Sequence, residues 1–356
     1  MIYAMISIGI LGFIVWSNLV ALFSCEAIII IFTISLDSLY LYNYITIRLL
    51  TTAPGSISAD CSNVNNITQP AGNCNITGSS ETICESRFNN FRLNYKLLYN
   101  KQFKADSQWL FWFIGFVEGD GAILSHLNKS SFVITQKERE ILEEIESKLG
   151  FGQVKDFNGF SRYMVFDNKN IFLLYSLFNG NLVLSHRRLQ LEKWHNNLHN
   201  ASRFDLLKFN LIEIPKIKNS KKVPSLNNAW LSGFTDAEGC FNITIGNGKS
   251  NQIRFRYILD QKDPLIMQQI RDLFNVGSII ERKDTKNPGI YRLTISCSKT
   301  DIMDKISNYF KTFPLKTKKS KDMKSWGKIF NLVQKDLHKT SQGLIEIKLI
   351  KSLMNK

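Results

Sequence analysis

The chain contains the same ordered set of elements twice, and this repeat limits the possible folds more than any other feature. Trp109–Gly121 reads WLFWFIGFVEGDG and Trp230–Gly239 reads WLSGFTDAEG. Each copy continues into a short alternating stretch, Ala122–Asn128 and Cys240–Gly246, the period of a strand. Each then reaches a Gln-Lys pair, Gln136 with Lys137 and Gln261 with Lys262. Those pairs lead into amphipathic helices, Glu138–Leu149 and Pro264–Phe274, and a glycine follows at the same offset, Gly152 and Gly277. Strand pairs over about 153–166 and 278–296 and helices over about 168–178 and 299–310 complete the pattern. The glutamines and the glycines are 125 residues apart, whereas the acids Asp120 and Glu238 are 118 apart. A longer first hairpin in the second copy explains the difference. The expected fold is therefore α+β: two tandem units, each helix, two strands, helix, two strands, helix, with pseudo-twofold symmetry.

The first helix of each copy carries the chemistry. Gly115 and Gly119 lie four apart on one helical face, and Gly233 and Ala237 hold the matching places. Glycine inside a helix costs about 1 kcal/mol relative to alanine, so its use here points to a close helix–helix approach. The flanks are apolar (Leu110, Phe111, Phe113, Ile114, Phe116; Leu231, Phe234) and can face each half's own core. Each helix ends in an acid followed by glycine, Asp120-Gly121 and Glu238-Gly239. Glycine suits a helix stop. A carboxylate there meets the negative end of the helix dipole, an unfavourable contribution of about 0.3–1 kcal/mol. Close packing would also bring the two acids together, and a divalent cation would compensate them. Carboxylates with water and phosphate oxygens suit Mg2+, and metals between attacking and leaving oxygens suit phosphodiester hydrolysis. One acid at a helix end would be structural decoration; two at the same place in a repeat point to a site.

At these residues the chain resembles the LAGLIDADG homing endonucleases. Phe113–Gly121 (FIGFVEGDG) and Leu231–Gly239 (LSGFTDAEG) look like the family's paired motifs, and the resemblance covers about residues 106–356. It implies an αββαββα unit used twice, two saddle-shaped sheets on double-stranded DNA, and Mg2+-dependent staggered cleavage of both strands. Asp120 and Glu238 match the metal-binding catalytic acids. Gln136 and Gln261 match catalytic-pocket residues that order water. Lys318, in the run Pro314 to Lys319, looks similar to the basic pocket residue. The first copy reads Leu184-Ser185-His186-Arg187, so its lysine is absent, and His186 or Arg187 stands in its place. Glu118 and Asp236, two residues before the catalytic acids, match a helix-terminal acid that is structural in the family.

The strands fit DNA recognition. In Arg254–Ile258 the arginines Arg254 and Arg256 share one face and the apolar residues the other. Asn242 and Thr244 alternate with Phe241, Ile243 and Ile245, and Arg282, Lys283 and Arg292 fall on the second strand pair. In the first half Ser125, Asn128, Lys129, Lys155 and Arg162 are the candidates. A two-stranded ribbon fits the major groove, where Arg reads guanine and Asn or Gln reads adenine. The run Lys316, Lys318, Lys319, Lys321, Lys324 could hold phosphates. Charge agrees: the net formal charge is +15, and nearly all of it lies beyond residue 105.

The N-terminal part reads differently. Residues 1–50 are apolar, with no charge before Glu26 and only Asp37 in 27–47, so one or two membrane spans are expected there. The basic leader of a secretory signal is missing. Met1–Ser17 (MIYAMISIGILGFIVWS) resembles a transmembrane stretch of cytochrome c oxidase subunit I, ending abruptly at Asn18. A reading frame inside a mitochondrial intron, fused to its upstream exon, would look like this, and mitochondrial localisation follows from it. Residues 51–105 are rich in Asn, Ser, Thr and Gly and read as a poorly ordered linker. They hold two glycosylation-type sequons, at Asn66 and Asn75, and Cys61, Cys74 and Cys84, with no CxxC or Cys/His zinc spacing. The halves are expected at 106–215 and 216–356, in a monomer. Three rival readings are an intron-RNA-binding maturase, a membrane protein with a basic non-catalytic domain, and a cleavage-dead DNA binder.

Overall fold

The computed structural model describes residues 86–201, 214–219, 221–246, 252–283, 288–297 and 299–355. The expected membrane spans in 1–50, the sequons and Cys25, Cys61, Cys74 and Cys84 lie outside the described residues. Among the described residues no helix is long and apolar enough to cross a membrane.

In chain order the elements are α1 (Asn89–Tyr99), α2 (Ser107–Asp120), β1 (Gly121–His126), β2 (Lys129–Gln136), α3 (Arg139–Leu149), β3 (Gln153–Phe157), β4 (Phe160–Val165), α4 (Asn168–Phe178) and α5 (Ser185–Ala201). The second half follows with α6 (Trp230–Glu238), β5 (Gly239–Ile245), β6 (Ile253–Gln261), α7 (Pro264–Phe274), β7 (Ser278–Glu281), β8 (Tyr291–Ser296), α8 (Thr300–Thr312), α9 (Lys319–Gln334) and α10 (Ser341–Ser352). The α+β repeat is thus present, with further helices closing each half. The sheets are antiparallel and have the same order, β1-β2-β4-β3 and β5-β6-β8-β7. The first hairpin turns over Leu127 and Asn128, both at positive φ (44° and 63°). The second connection, between Ile245 and Ile253, is five residues longer, and β5 and β6 are each one residue longer than β1 and β2, which together make up the seven extra residues in the spacing of the repeat.

Local chemistry sets the boundaries. Asp106 caps α2 by accepting from the Trp109 amide at 2.6 Å, and Asp263 caps α7 ahead of Pro264. The matched glycines Gly152 and Gly277 have φ of 85° and 130°, a conformation that a β-carbon disfavours. One face of each sheet packs on its half's helices. Phe132, Tyr163, Phe178 and Trp194 form the first core, and Phe241, Phe255, Tyr257, Phe310 and Trp326 the second.

Residues 86–105 correct the reading of 51–105 as a linker. They form α1 and a short connection, and Phe88, Phe91, Tyr95, Phe103 and Ala105 are buried. The aromatic rings interlock: Phe91 meets Phe103 edge-on at 4.9 Å, and Tyr95 meets Phe103 at 5.1 Å. Asn94 and Tyr99 hydrogen-bond Ser176 and Asn170 at the surface of α4. Composition averaged over the whole zone hid four aromatics at helical spacing. Phe91→Ala is expected to destabilise the fold by about 3–5 kcal/mol, read as a drop in the denaturant midpoint. A shift under 1 kcal/mol would show that α1 is dispensable.

Candidate active site

The helices α2 and α6 cross at their small residues. A β-carbon on Gly115 would overlap the Trp230 carbonyl oxygen and lie 2.9 Å from the Phe234 nitrogen. On Gly233 it would overlap the Trp112 carbonyl oxygen and lie 2.8 Å from the Phe116 nitrogen. On Gly119 it would collide with the Ala237 side chain and lie 3.1 Å from Cγ of Glu238. Backbone therefore rests on backbone, which brings the two C-terminal acids together.

Trp112 and Trp230 occupy equivalent positions, three residues before Gly115 and Gly233. Each donates its indole N–H to the buried acid of the opposite half: Trp112 to Asp236 at 2.8 Å, Trp230 to Glu118 at 2.7 Å. Each acid also gathers the loop of its own half. Glu118 accepts from the amides of Val183 (2.8 Å) and Leu184 (2.6 Å). Asp236 accepts from the amides of Lys316 (2.8 Å) and Thr317 (3.1 Å) and from the Thr317 hydroxyl (2.6 Å). Burial pushes the Glu118 carboxyl up to about 7 and also raises that of Asp236, against the pull of these donors. Both acids thus lock the halves together and anchor a loop. The signal was present in the sequence as the shared Trp-x-x-Gly-Phe, whose tryptophan the helix register aims across the interface.

The anchored loops deliver a cation to each helix end. Arg187 donates to the carbonyls of Glu118 (3.1 and 3.2 Å) and Gly119 (3.1 Å). Lys319 Nζ donates to the carbonyls of Thr235 (3.2 Å), Asp236 (2.8 Å) and Ala237 (2.8 Å). Each offsets the negative end of its helix dipole, which answers the electrostatic objection to an acid there. The structure thus puts Lys319, not Lys318, at the second helix end. α9 begins at Lys319, so the chain turns Lys318 outward, where its amide donates to Glu138 at 2.8 Å. In the first half Arg187 takes the place and His186 does not. The His186 imidazole is held below its usual pKa by burial and by the neighbouring Arg187 charge.

Asp120 and Glu238 sit between these cations. Burial raises the Asp120 carboxyl, opposed by the Lys319 charge and the Gln136 hydrogen bond. Burial, then the Asp120 charge, pushes Glu238 up to about 7. Gln136 donates to Asp120 at 2.5 Å, and Gln261 to Glu238 at 3.4 Å. Both glutamines end strands on the core-facing side, Gln136 opposite buried Ser161 and Gln261 opposite Tyr291. Their amides therefore reach the helix ends.

The proposed DNA-contacting residues distribute unevenly. Asn242, Thr244, Arg254, Arg256 and Arg292 lie on the sheet face away from the helices. Arg256 Nη2 donates to Asn242 (2.9 Å) and Thr244 (2.5 Å), while its buried Nε lacks a partner among the described residues. Arg292 and Arg282 both engage Asp260, Arg292 through two 2.7 Å bonds and Arg282 at 3.1 Å. Lys283 is exposed beyond β7. In the first sheet Lys129, Lys155 and Arg162 lie outward, Arg162 bonded to Thr135 at 3.2 Å and 5.0 Å from the rings of Phe157 and Phe160. Asn128 is in the exposed turn. Ser125 is a correction: it pairs with buried Ser130, on the helix side with Ile123, and the pleat turns Leu124 and His126 outward instead. Of the basic run, Lys316 is tied across the halves to Glu144 at 2.7 Å.

Comparison with known proteins places this geometry. Residues 231–330 match the family described as LAGLIDADG endonuclease. The probable intron-encoded endonuclease 4 of Neurospora crassa is 36% identical over 270 residues, covering 72% of this chain and 46% of that protein. The chain therefore spans about half the length of that relative. An uncharacterized cox1 intron-2 37.2 kDa protein of Schizosaccharomyces pombe is 26% identical over 292 residues, covering 78% of this chain and 82% of that one. Among solved structures, the LAGLIDADG meganuclease I-AabMI bound to uncleaved DNA superposes with a TM-score of 0.58 at 22% identity, covering 69% of this chain and 99% of that one. The described part of the chain thus has the LAGLIDADG endonuclease fold, and intron-encoded endonucleases are among its homologues.

Proposed function

We propose that the chain is a site-specific endonuclease that makes a staggered break in double-stranded DNA, acts as a monomer, and promotes homing of a mitochondrial intron. The observation that carries this reading is the pair Asp120 and Glu238, one from each half, held together at the ends of two interlocked helices. One acid per half suits one cut per strand.

The donor set fits a hard divalent cation. Burial raises the cost of ionising both carboxylates, and the Asp120 charge raises it further for Glu238; oxygen ligands such as these suit Mg2+. Among the described residues no cluster of three or more His, Cys, Asp or Glu surrounds them, so DNA phosphate oxygens and water would complete the shell. Bound there, the cation would polarise the scissile phosphate and lower the pKa of attacking water. The chain's own residues do the rest. Gln136 and Gln261 hold the carboxylates in orientation. Arg187 and Lys319, spent on backbone carbonyls, fix the helix ends and lend positive potential where a phosphate would sit. The outward faces of the two sheets carry the bases' readers.

The relatives named for introns, and the likeness of Met1–Ser17 to cytochrome c oxidase subunit I, give the substrate to try first. The full chain with Mg2+ and a duplex of the intronless oxidase coding sequence should yield one staggered cut near the exon junction, lost with EDTA. Binding to intron RNA without any DNA cut would replace this reading with the maturase.

Arg256→Ala should weaken DNA binding by about 1–3 kcal/mol and relax the base preference at the position it faces. A uniform loss across sequences, with the slope of log affinity against log salt lower by about 1, would make Arg256 a phosphate contact rather than a base reader. An unchanged affinity would remove it from the interface.

A further inference from the structure

The repeat lets the two DNA-facing surfaces be compared position by position. Aligning Gly121 with Gly239 and Gln136 with Gln261 pairs Leu124 with Asn242 and Ser131 with Arg256. The strand registers Thr135↔Arg162 and Asp260↔Arg292 then pair Met164 with Thr294 and Phe166 with Ser296. One row across the second sheet reads Asn242, Arg256, Ser296. The same row across the first sheet reads Leu124 and Ser131, with Phe166 just beyond the end of β4. Hydrogen-bonding readers in one half are thus replaced by a leucine and a phenylalanine in the other.

These apolar side chains are not core residues. Leu124 is 46% and Phe166 54% exposed, on the face away from the helices. They flank Ser131 in one row across the sheet, and large apolar groups left in water on such a row mark a surface that something covers. The occupant is set by the equivalent surface of the other half, where Arg256 is poised with bonds to Asn242 and Thr244, and by the strong positive charge of residues 106–356. In a major groove, arginine and asparagine match guanine and adenine. Apolar side chains match the 5-methyl group of thymine.

We propose that the target is asymmetric at this row: the half-site under the first sheet presents thymine methyls to Leu124 and Phe166, and the mirrored position under the second sheet presents a purine to Arg256 and Asn242. The inference rests on the endonuclease reading above and names the substrate it selects.

The test starts from a randomised duplex pool, with Ca2+ in place of Mg2+ to hold cutting back, and the full chain as bait. The selected site is then remade with deoxyuridine for thymidine, one half at a time, which removes methyl groups and nothing else. Uracil in the first half-site should weaken binding about 5-fold or more, and Leu124→Ala should abolish that difference. Uracil in the second half-site, at the mirrored row, should be neutral. Equal uracil effects in both halves, or none in the first, would overturn the proposed asymmetry while leaving the endonuclease reading intact. Recovery of no preferred duplex would overturn both, and recovery of a palindrome at this row would overturn the asymmetry alone.

Discussion

Asp120→Asn should lower cleavage by at least about 10³-fold, the scale of losing a preorganised charged group at a reacting centre, while leaving DNA affinity within about 3-fold. The substitution keeps size and shape, and Asn can still meet Gln136 if either amide turns. What it removes is one anionic oxygen donor at the end of α2. Glu238→Gln should do the same from the other half. If each acid serves one strand, each single variant would leave nicked duplex as its residual product, visible as open-circular plasmid. Loss of binding in a variant that still melts cooperatively would count against the assigned role. The same variants carry a second readout. The Glu238 carboxyl lies near 7 in the folded protein, pushed up first by burial and then by Asp120, so the folded state holds its proton more tightly than the unfolded chain does. Stability without a divalent cation must then fall as pH rises from the ordinary carboxylate range through about 7. Glu238→Gln should melt higher than the parent at pH 8 in EDTA and no higher at pH 4.5. Mg2+ should narrow the gap at pH 8 by stabilising the parent alone.

The sequence revealed the architecture because duplication supplies an internal control. A small-residue spacing or a helix-ending acid means little once, yet Gly115 with Gly233 and Asp120 with Glu238 recur inside one ordered series of elements. The longer second hairpin was legible for the same reason, as a 7-residue change in spacing. What the sequence obscured is equally specific. Lys318 and Lys319 are adjacent and alike, and the choice between them is made by where α9 begins, a boundary that no capping residue marks. Ser125 was misplaced because exposure at a hairpin tip does not reveal the pleat; only the pairing with Ser130 does. Asp260 on β6 draws together Arg292 of β8 and Arg282, just past the end of β7, a contact that no local pattern encodes. Helix α1 is hidden in a polar zone because Phe88 and the helix's own Phe91, Tyr95 and Tyr99 are averaged with the residues before them. Residues 1–85 lie outside the described part of the chain, so their expected membrane spans are not tested by it.

Gly233→Ala should destabilise the protein by about 3 kcal/mol or more and abolish cleavage together with it. Taken alone, alanine in a helix interior gains about 1 kcal/mol over glycine, so local propensity predicts the opposite sign. The packing decides. The added β-carbon would overlap the Trp112 carbonyl oxygen and approach Phe116 N to 2.8 Å. Both neighbours are backbone, and no rotamer can move them aside, so α2 and α6 must separate. Overpacking costs about 1–3 kcal/mol where side chains can adjust, and more where they cannot. Separation also pulls Trp112 from Asp236 and Trp230 from Glu118, leaving buried acids short of a donor at about 1–3 kcal/mol each. The acids Asp120 and Glu238 move with their helices, and a misplacement of about 1 Å can cost 10²-fold in rate. Gly115→Ala should behave alike, because its β-carbon meets Trp230 O. Gly327 supplies the control: it lies inside α9, and among the described residues nothing stands within 4 Å of an added β-carbon there. Gly327→Ala should therefore raise stability by about 0.5–1 kcal/mol. Chemical denaturation of the three variants separates packing from propensity. Equal small gains in all three would mean that the two helices do not rest on one another, and the paired-acid site would lose its foundation.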